Sequence, residues 1–267
     1  MKNIEVAIIG AGPVGLYIGG KLEEKKKDYL LFESDSEVGG QVTRLYPKKM
    51  VVDVPFFGEC QAHEIIAKLQ ERVDRNRVHR NEKVLEIKRK NQNIIVKTAF
   101  NIYEAKNVII ATGLGESTPR PLGVDKEKDC KEILYDLKEP LSLKEKKVVI
   151  FGGGDSALDW ARDISRIAKE THLVHRRMEF RGDQKTIEGC PITLHLPYVP
   201  KSIALADGHL SSVRIQNVIT SKEETISCDY ILVNYGQIPL PSTFGLPLTK
   251  EGFGILVDHN YEALPGI

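Results

Sequence analysis

Two glycine-rich motifs could each bind the pyrophosphate of a dinucleotide. The first, Gly-Ala-Gly-Pro-Val-Gly at residues 10–15, follows an apolar run at residues 4–9; the second, Gly-Gly-Gly-Asp-Ser-Ala at residues 152–157, follows one at residues 147–151. One glycine permits the tight turn after a strand, one lets the backbone approach the phosphates, and the last small residue lets the helix pack closely. The helix N-terminus then binds the phosphates. The doubled motif predicts two dinucleotides, as in a flavin that is reduced by a nicotinamide.

The residues that follow the second strand of each unit predict which nucleotide it binds. A strand at residues 29–32 ends at Glu33, whose carboxylate would accept hydrogen bonds from ribose hydroxyls and repel a 2′-phosphate. A strand at residues 172–174 ends instead at His175, Arg176 and Arg177, with Arg181 close behind. Forked guanidinium groups suit a 2′-phosphate. The first site is therefore predicted to bind FAD or NAD, and the second NADP(H).

Each of these interpretations has a plainer alternative. The first motif could be a glycine-rich turn of another kind of α/β protein, and the arginines could form a solvated basic turn. The agreement of strand, turn, helix and charged residue favours nucleotide binding in both places. For His175, support of the turn and contact with the nucleotide both stay open.

Composition argues against several other classes of protein. With 38 basic and 37 acidic residues the net charge is +1, which gives no reason to expect nucleic acid or an anionic membrane as partner. No apolar run approaches the roughly 18 residues that span a bilayer, and a strand is predicted from the first residues, so we expect no signal peptide and a cytoplasmic protein. The cysteines, at positions 60, 130, 190 and 228, form no C-x-x-C pair. This spacing argues against an internal redox dithiol, structural zinc and an iron–sulfur cluster.

The predicted elements repeat one plan twice. Strands are predicted at residues 4–9, 29–32, 83–90, 93–100 and 102–110, with helices at 14–25 and 63–72 and an irregular stretch at 34–60. The second half has strands at residues 147–151, 172–174, 192–196, 202–205, 211–217 and 230–235, with a helix at 156–169. The predicted fold class is α/β, with two Rossmann-like three-layer domains and the NADP domain inserted into the FAD domain. The expected boundaries are 1–116, 117–238 and 239–267.

The ordered motifs resemble those of thioredoxin-reductase-like ferredoxin NADP reductases, within the FAD-dependent pyridine nucleotide-disulfide oxidoreductase superfamily, over nearly the whole chain. They are the two glycine motifs, Gly39-Gly40-Gln41, Leu45-Tyr46-Pro47, Ala111-Thr112-Gly113 and His175-Arg176-Arg177. Thioredoxin reductases proper have a cysteine pair shortly before the second glycine motif, where this chain has Cys130 alone. Leu45-Tyr46-Pro47-Lys48 followed by Asp53-Val54 is more typical of the ferredoxin reductases.

The resemblance implies a homodimeric flavoprotein that transfers hydride from NADPH to FAD and passes electrons to ferredoxin or flavodoxin. It implies that Glu33 binds the adenosine ribose of FAD, that Gln41 hydrogen-bonds the flavin or its ribityl chain, and that Tyr46 stacks on the isoalloxazine. Val84 would line the adenine site through its backbone, and Ser117 falls where the family often has an aromatic residue near the flavin. An aromatic ring on a glycine-rich loop can indeed stack on a flavin.

Because the cofactors carry the chemistry, no catalytic side chain and no metal site are expected. The residues expected to bind the two cofactors are Gly10, Gly12, Pro13, Val14, Gly15, Glu33, Gly40, Gln41, Tyr46, Val84, Thr112, Gly113, Ser117, Gly152, Gly153, Gly154, Asp155, Ser156, His175, Arg176, Arg177 and Arg181.

The resemblance also implies a segment after residues 263–267, in which a strand ending Gly-Asp holds the flavin ribityl and pyrophosphate and a helix follows. The sequence ends at Ile267. The expectations are a fragment, a naturally short chain that binds FAD poorly, or a site completed by another chain. Two other functions stay open: a thioredoxin-reductase-like enzyme with an external dithiol acceptor, and a flavin-poor NADP-binding module.

Overall fold

The structure, a computed structural model, describes residues 2–51, 54, 57–115, 117–240, 242–252 and 254–267. Asp53 of the ferredoxin-reductase motif lies outside the described residues. The chain divides into two compact units. The first unit comprises Met1–Ser117 and Pro239–Ile267, and the second comprises Thr118–Ile238.

The first unit is built on a mixed sheet. Its elements are β1 (Lys2–Ile9), α1 (Pro13–Glu24), β2 (Tyr29–Phe32), α2 (Gln41–Leu45), β3 (Met50–Val51), β4 (Cys60–Gln61), α3 (Ala62–Gln70), a 3₁₀ helix (Arg75–Arg77), β5 (Val78–His79), β6 (Val84–Lys90), β7 (Asn93–Thr98) and β8 (Ile102–Ile110). The sheet has the strand order β5-β2-β1-β8-β7-β6. The first four strands of that order are parallel, and β7 and β6 continue it antiparallel, while β3 and β4 pair separately.

Both faces of this sheet are covered because β1 is apolar at consecutive positions. Successive side chains of a strand point to opposite faces. Ile8 packs with Leu16 of α1 and Ile65 of α3 on one face. Ala7 and Ile9 point to the other face, whose core includes Phe244 and Ile267 among other residues. The chain segment that follows the second unit therefore completes the core of the first.

The second unit contains a parallel sheet of its own. Its elements are β9 (Thr118–Pro119), 3₁₀ helices (Glu127–Asp129, Pro140–Leu143 and Gln184–Ile187), β10 (Ile133–Leu134), β11 (Lys147–Phe151), α4 (Asp155–Ser165), β12 (Glu170–Val174), β13 (Thr193–His195), β14 (Tyr198–Ala206), β15 (His209–Asn217), β16 (Glu223–Ser227), β17 (Tyr230–Val233) and β18 (Gln237–Ile238). The parallel sheet has the order β10-β17-β11-β12-β13. Strands β14, β15 and β16 form an antiparallel sheet, and β9 pairs with β18.

These elements form three layers. Val149 and Phe151 of β11 share a core with Val213 and Ile215 of the antiparallel sheet. The alternate, equally buried side chains of β11 point to the opposite face, and α4 packs against β11 and β12. The predicted α/β class, with a parallel sheet and a strand–turn–helix motif in each half, is confirmed.

The structure differs from the sequence expectations at a few elements. The helix predicted at residues 156–169 ends at Ser165, because Ile167 and Lys169 hydrogen-bond instead to residues 145 and 146 ahead of β11. The stretch at residues 34–60 contains α2, β3 and part of β4 rather than only irregular chain. Strand β16 was not predicted, since its charged sequence has no clear alternation and its pairing with β15 sets its conformation. Among the described residues, no helix has the length and apolar character needed to cross a membrane.

Candidate functional site

A cavity of about 620 Å³ opens in the first unit, at the carboxyl ends of β1, β2 and β8. This is where parallel sheets bind ligands, and the volume is within the usual range for small-molecule sites. Several residues predicted from sequence line it: Gly10, Gly12, Pro13, Val14, Glu33, Gly40, Gln41, Tyr46, Val84, Thr112 and Gly113. Gly15 and Ser117 do not line the cavity, but both contact residues that do.

The three glycines of the first motif meet different surroundings. Gly10 has φ +99° and lies so close to the end of β8 that a Cβ would be 2.6 Å from the carbonyl oxygen of Ala111. A Cβ on Gly15 would be 1.9 Å from the Gly10 oxygen, so Gly15 allows the close approach of α1 to the turn. A Cβ on Gly12 would meet no atom within 4 Å. Gly12 therefore leaves open the space beside the N-terminus of α1.

Glu33 is buried and held by three donors. Its Oε2 accepts a hydrogen bond from Ala11 N (2.9 Å), while its Oε1 accepts from Asp35 N (3.0 Å) and from the Ser34 hydroxyl (3.2 Å). A carboxylate has about four acceptor sites, so capacity for a ribose hydroxyl remains. The side chain is thus fixed at the cavity wall before any ligand arrives.

A second glycine loop packs against the first. Gly39 N donates to Ala11 O (2.8 Å), and Gly40, with φ +56°, lies against Gly12. Helix α2 begins directly afterwards, which brings Gln41 and Tyr46 to the cavity. The predicted flavin-side residues therefore reach the same cavity as the predicted ribose acid.

Several cavity residues were not found from the sequence. Arg44 lines the cavity one helical turn after Gln41, and its Nη2 donates to the Ser117 hydroxyl (3.1 Å). The only sequence signal for Arg44 is its spacing from Gln41 on a helix that is too short to be predicted. Lys83 and Phe244 also line it, and Phe244 enters from the segment after the second unit, which no local pattern indicates.

A buried polar network adjoins Glu33. Glu82 N donates to Glu33 O (2.8 Å), and the Glu82 carboxylate, also in the cavity wall, accepts from Thr98 Oγ1 (2.7 Å) and Tyr103 OH (2.9 Å) and lies 2.7 Å from His79 Nδ1. Burial alone would raise the pKa of Glu82, but these hydrogen bonds outweigh it and hold the pKa below its ordinary value. Burial, together with the bond to Glu82, raises the pKa of Tyr103 to about 12.

The glycine motif of the second unit is equally tight. A Cβ on Gly152 would be 2.7 Å from Asn234 O at the end of β17 and 2.8 Å from the Cβ of Ala157. Gly154 is the N-cap of α4, and Asp155 and Ser156 are its first residues. The small Ala157 thus occupies the position of the third glycine in this motif, as its sequence implies.

The segment after β12 folds back over this turn. Arg181 N and Gly182 N both donate to Gly153 O, at 2.7 and 3.1 Å. The ring of His175 stacks on Phe180 with 5.4 Å between centroids and lies directly over Gly153, where a Cβ would clash with it. Burial lowers the pKa of His175. These contacts favour the turn-supporting role of His175.

The three predicted arginines are solvent-exposed. Within the described part of the chain, Arg176, Arg177 and Arg181 form no ion pair with a carboxylate. The Arg181 guanidinium lies beside Gly154, where a Cβ would be 2.9 Å from Nη2. The sequence did not single out Gly182, yet a Cβ there would lie 2.7 Å from Asp155 N. A tight glycine turn with the Arg181 guanidinium beside it fits a phosphorylated dinucleotide.

The four cysteines form no disulfide in the structure. All four lie in the described residues and are free thiols, and Cys60, Cys130 and Cys228 are buried. Burial raises the pKa of Cys228 to about 12, which keeps it a thiol. Within the described residues, no group of His, Cys, Asp and Glu side chains could hold a metal ion.

Comparison with known proteins places the chain in a family. Residues 4–267 match the family described as pyridine nucleotide-disulphide oxidoreductase. A ferredoxin–NADP reductase of Acholeplasma laidlawii is 36% identical over 239 residues, which is 87% of this chain and 74% of that protein. A ferredoxin–NADP reductase of Lactobacillus gasseri is 34% identical over 270 residues, covering 99% of this chain and 82% of the relative.

Solved structures show the same fold. Lactococcus lactis thioredoxin reductase matches with a TM-score of 0.84 and 23% identity, covering 98% of this chain and 88% of that one. T. acidophilum thioredoxin reductase matches with a TM-score of 0.82 and 22% identity, covering 100% and 88%. The chain therefore belongs to the pyridine nucleotide-disulphide oxidoreductase family, as an FAD-dependent oxidoreductase that uses NADP(H).

Proposed function

We propose that the first unit binds FAD in its cavity, that the second unit binds NADPH at its glycine turn, and that the electrons pass to a ferredoxin. The observation that carries this proposal is the difference between the two strand ends. Glu33 offers acceptors to ribose hydroxyls, whereas Arg176 and Arg177 offer donors to a 2′-phosphate. The FAD domain is then the first unit and the NADP domain the second.

Within this proposal the chain binds and orients, and bound FAD supplies the ability to accept a hydride and release single electrons. The turn at Gly12 and the start of α1 hold the FAD pyrophosphate. Glu33 holds the adenosine ribose, and Gln41 and Tyr46 contact the isoalloxazine. Gly152 and Gly154 accommodate the NADPH pyrophosphate, with Arg181 beside them.

The acceptor is proposed from the relatives, whose names state ferredoxin–NADP reductase. A flavodoxin is a second acceptor of the same one-electron kind. An external dithiol acceptor is the alternative, because the fold is also that of thioredoxin reductases. The free cysteines disfavour a disulfide relay through this chain. We also propose that the enzyme acts as a homodimer in the cytoplasm.

The full 267-residue chain tests the proposal directly. After saturation with FAD, its rate of NADPH oxidation is measured with ferredoxin, with flavodoxin and with thioredoxin plus a thiol indicator. We expect turnover with ferredoxin or flavodoxin and none with thioredoxin. Turnover with thioredoxin alone would establish the dithiol alternative, and failure to bind FAD together with retained NADPH binding would establish the flavin-poor module.

A further inference from the structure

Arg44 is a cation in the wall of the first unit's cavity to which the function proposed above gives no role. It lies in the last turn of α2, is half-buried, and donates from Nη2 to the Ser117 hydroxyl at 3.1 Å. In the described part of the chain no carboxylate lies within ion-pair distance of it. A half-buried cation that faces a cavity without a counter-charge favours a ligand that carries or acquires negative charge.

The sheet order locates Arg44 within the cavity. Strand β1, which leads into the glycine turn, lies between β2 and β8. Glu33 follows β2, while Ser117, the partner of Arg44, comes after β8. Glu33 thus belongs to the β2 side of the glycine turn, whereas Arg44 is hydrogen-bonded to the chain that leaves β8. A dinucleotide with its adenosine ribose at Glu33 and its pyrophosphate at Gly12 would have its far end in the remaining part of this cavity, whose wall includes Arg44, Tyr46 and Leu114.

We propose that Arg44 sets the reduction potential of the bound flavin by stabilising its reduced, anionic form. This inference rests on the proposed binding of FAD in this cavity. Reduction by NADPH transfers one hydride, that is two electrons and one proton, so that NADP⁺ is formed and the isoalloxazine of FADH⁻ carries one more negative charge than that of FAD. A guanidinium beside the isoalloxazine attracts the charged form and leaves the neutral form almost unaffected. Arg44 thereby makes the flavin a better acceptor for NADPH.

Ser117 would act as a positioning residue in this arrangement. Its hydroxyl accepts from Nη2 and so restricts the guanidinium to one orientation, which leaves the other donors of the planar group free to reach the ligand. Lysine in place of Arg44 keeps the charge but loses the forked geometry. Comparing Arg44→Lys, which keeps the charge, with Arg44→Gln, which removes it, therefore separates the effect of charge from that of orientation.

The test compares four forms of the full chain loaded with FAD: the unmodified protein, Arg44→Gln, Arg44→Lys and Arg75→Gln. Arg75 is a matched control, an exposed arginine of the first unit outside the cavity. The midpoint potential is measured by equilibration with a redox dye, and affinity for oxidised FAD and for ADP is measured by titration of the flavin-free protein. Circular dichroism checks folding, and Ser117→Ala is a second route if Arg44→Gln fails to fold.

We expect Arg44→Gln to reduce the preference for reduced over oxidised FAD about tenfold, which lowers the midpoint potential by about 30 mV. Arg44→Lys and Ser117→Ala should shift it less, and Arg75→Gln should leave it unchanged. ADP affinity should stay the same in all variants. An unchanged potential in Arg44→Gln overturns the inference, as does a loss of ADP affinity at unchanged potential, which would assign Arg44 to the phosphates. Unmodified protein that binds no FAD would instead refute the proposed FAD site and this inference with it.

Discussion

The two glycine turns have similar backbone packing, but the charged residues that follow the second strand of each unit differ in sign and in burial. Each joins an apolar parallel strand to a helix through glycines that no larger residue could replace at the first position. Glu33 of the first unit is buried and held by backbone donors, whereas Arg176 and Arg177 of the second are exposed and, among the described residues, unpaired. Under the proposed function, the short acid that would bind ribose hydroxyls is held in place in advance, whereas the long cations that would bind a phosphate are solvent-exposed.

The largest effect is expected from the exposed cations of the second unit. Replacing both Arg176 and Arg177 by alanine removes two charge-assisted contacts of about 1.5–3 kcal/mol each, so NADPH affinity should fall at least 100-fold. NADH affinity should change little, because NADH has no 2′-phosphate. Isothermal titration with both nucleotides measures this, with Arg166→Ala, an exposed arginine of the same unit, as the control. Equal affinities of the unmodified protein for NADPH and NADH would contradict the comparison.

The next effect separates two glycines of the first turn. Gly15→Ala places a Cβ 1.9 Å from Gly10 O and should lower the free energy of unfolding by about 3 kcal/mol. Gly12→Ala places its Cβ in open space, so stability should be kept while FAD affinity falls. Urea unfolding of both variants provides the measurement. A Gly15→Ala protein as stable as Gly12→Ala would show that the turn relaxes more easily than the packing implies.

Glu33→Ala should lower the free energy of unfolding by less than Gly15→Ala does, and it should affect only the first unit. It leaves Ala11 N and Asp35 N without their acceptor, at about 1–3 kcal/mol of stability, and removes the proposed ribose contact. FAD retention on dialysis should fall while NADPH titration is unchanged. Glu37→Ala, an exposed acid on the same loop, is the control. Loss of both nucleotides together would mean that the two units do not bind them separately.

The strands and turns around the two glycine motifs could be predicted from the sequence, whereas some of the residues beside them could not. Strands β1 and β11 and both turns follow from apolar runs that lead into glycines, and β2 follows from an apolar run that ends at Glu33, since these patterns are local and have few alternatives. The positions of Arg44 and Gly182 could not be predicted in this way. Arg44 reaches the cavity only because α2 is set by Gly39 and Gly40 against the first turn, and Gly182 because its segment folds back onto Gly153. Both depend on packing between segments distant in sequence.

The smallest expected effect concerns pH, and it again distinguishes the units. In the second unit His172 Nδ1 and His195 Nε2 lie 3.0 Å apart, and burial lowers the pKa of both histidines from the ordinary value of 6.5. For His172 the neighbouring His195 adds to this shift, and Glu170 opposes it. In the first unit the pKa of Glu82 is also lowered, from 4.5, by hydrogen bonds that outweigh its burial.

The sign of the stability change is the same for all three groups, but the pH range differs. Each folded-state pKa lies below the unfolded one, so the unfolded chain binds more protons and stability falls as pH falls. For the histidines the loss begins near pH 6.5, whereas for Glu82 it begins near pH 4.5. Between pH 7.5 and 5.5 the second unit should therefore lose stability while the contribution of Glu82 to the stability of the first unit stays intact.

Trp160, the single tryptophan, is buried in α4 and reports unfolding of the second unit by fluorescence. The thermal midpoint of the second unit should fall over this pH range. It should fall much less in the double variant His172→Gln/His195→Gln than in the exposed control His209→Gln. The same pH dependence in both variants would assign the effect to other groups.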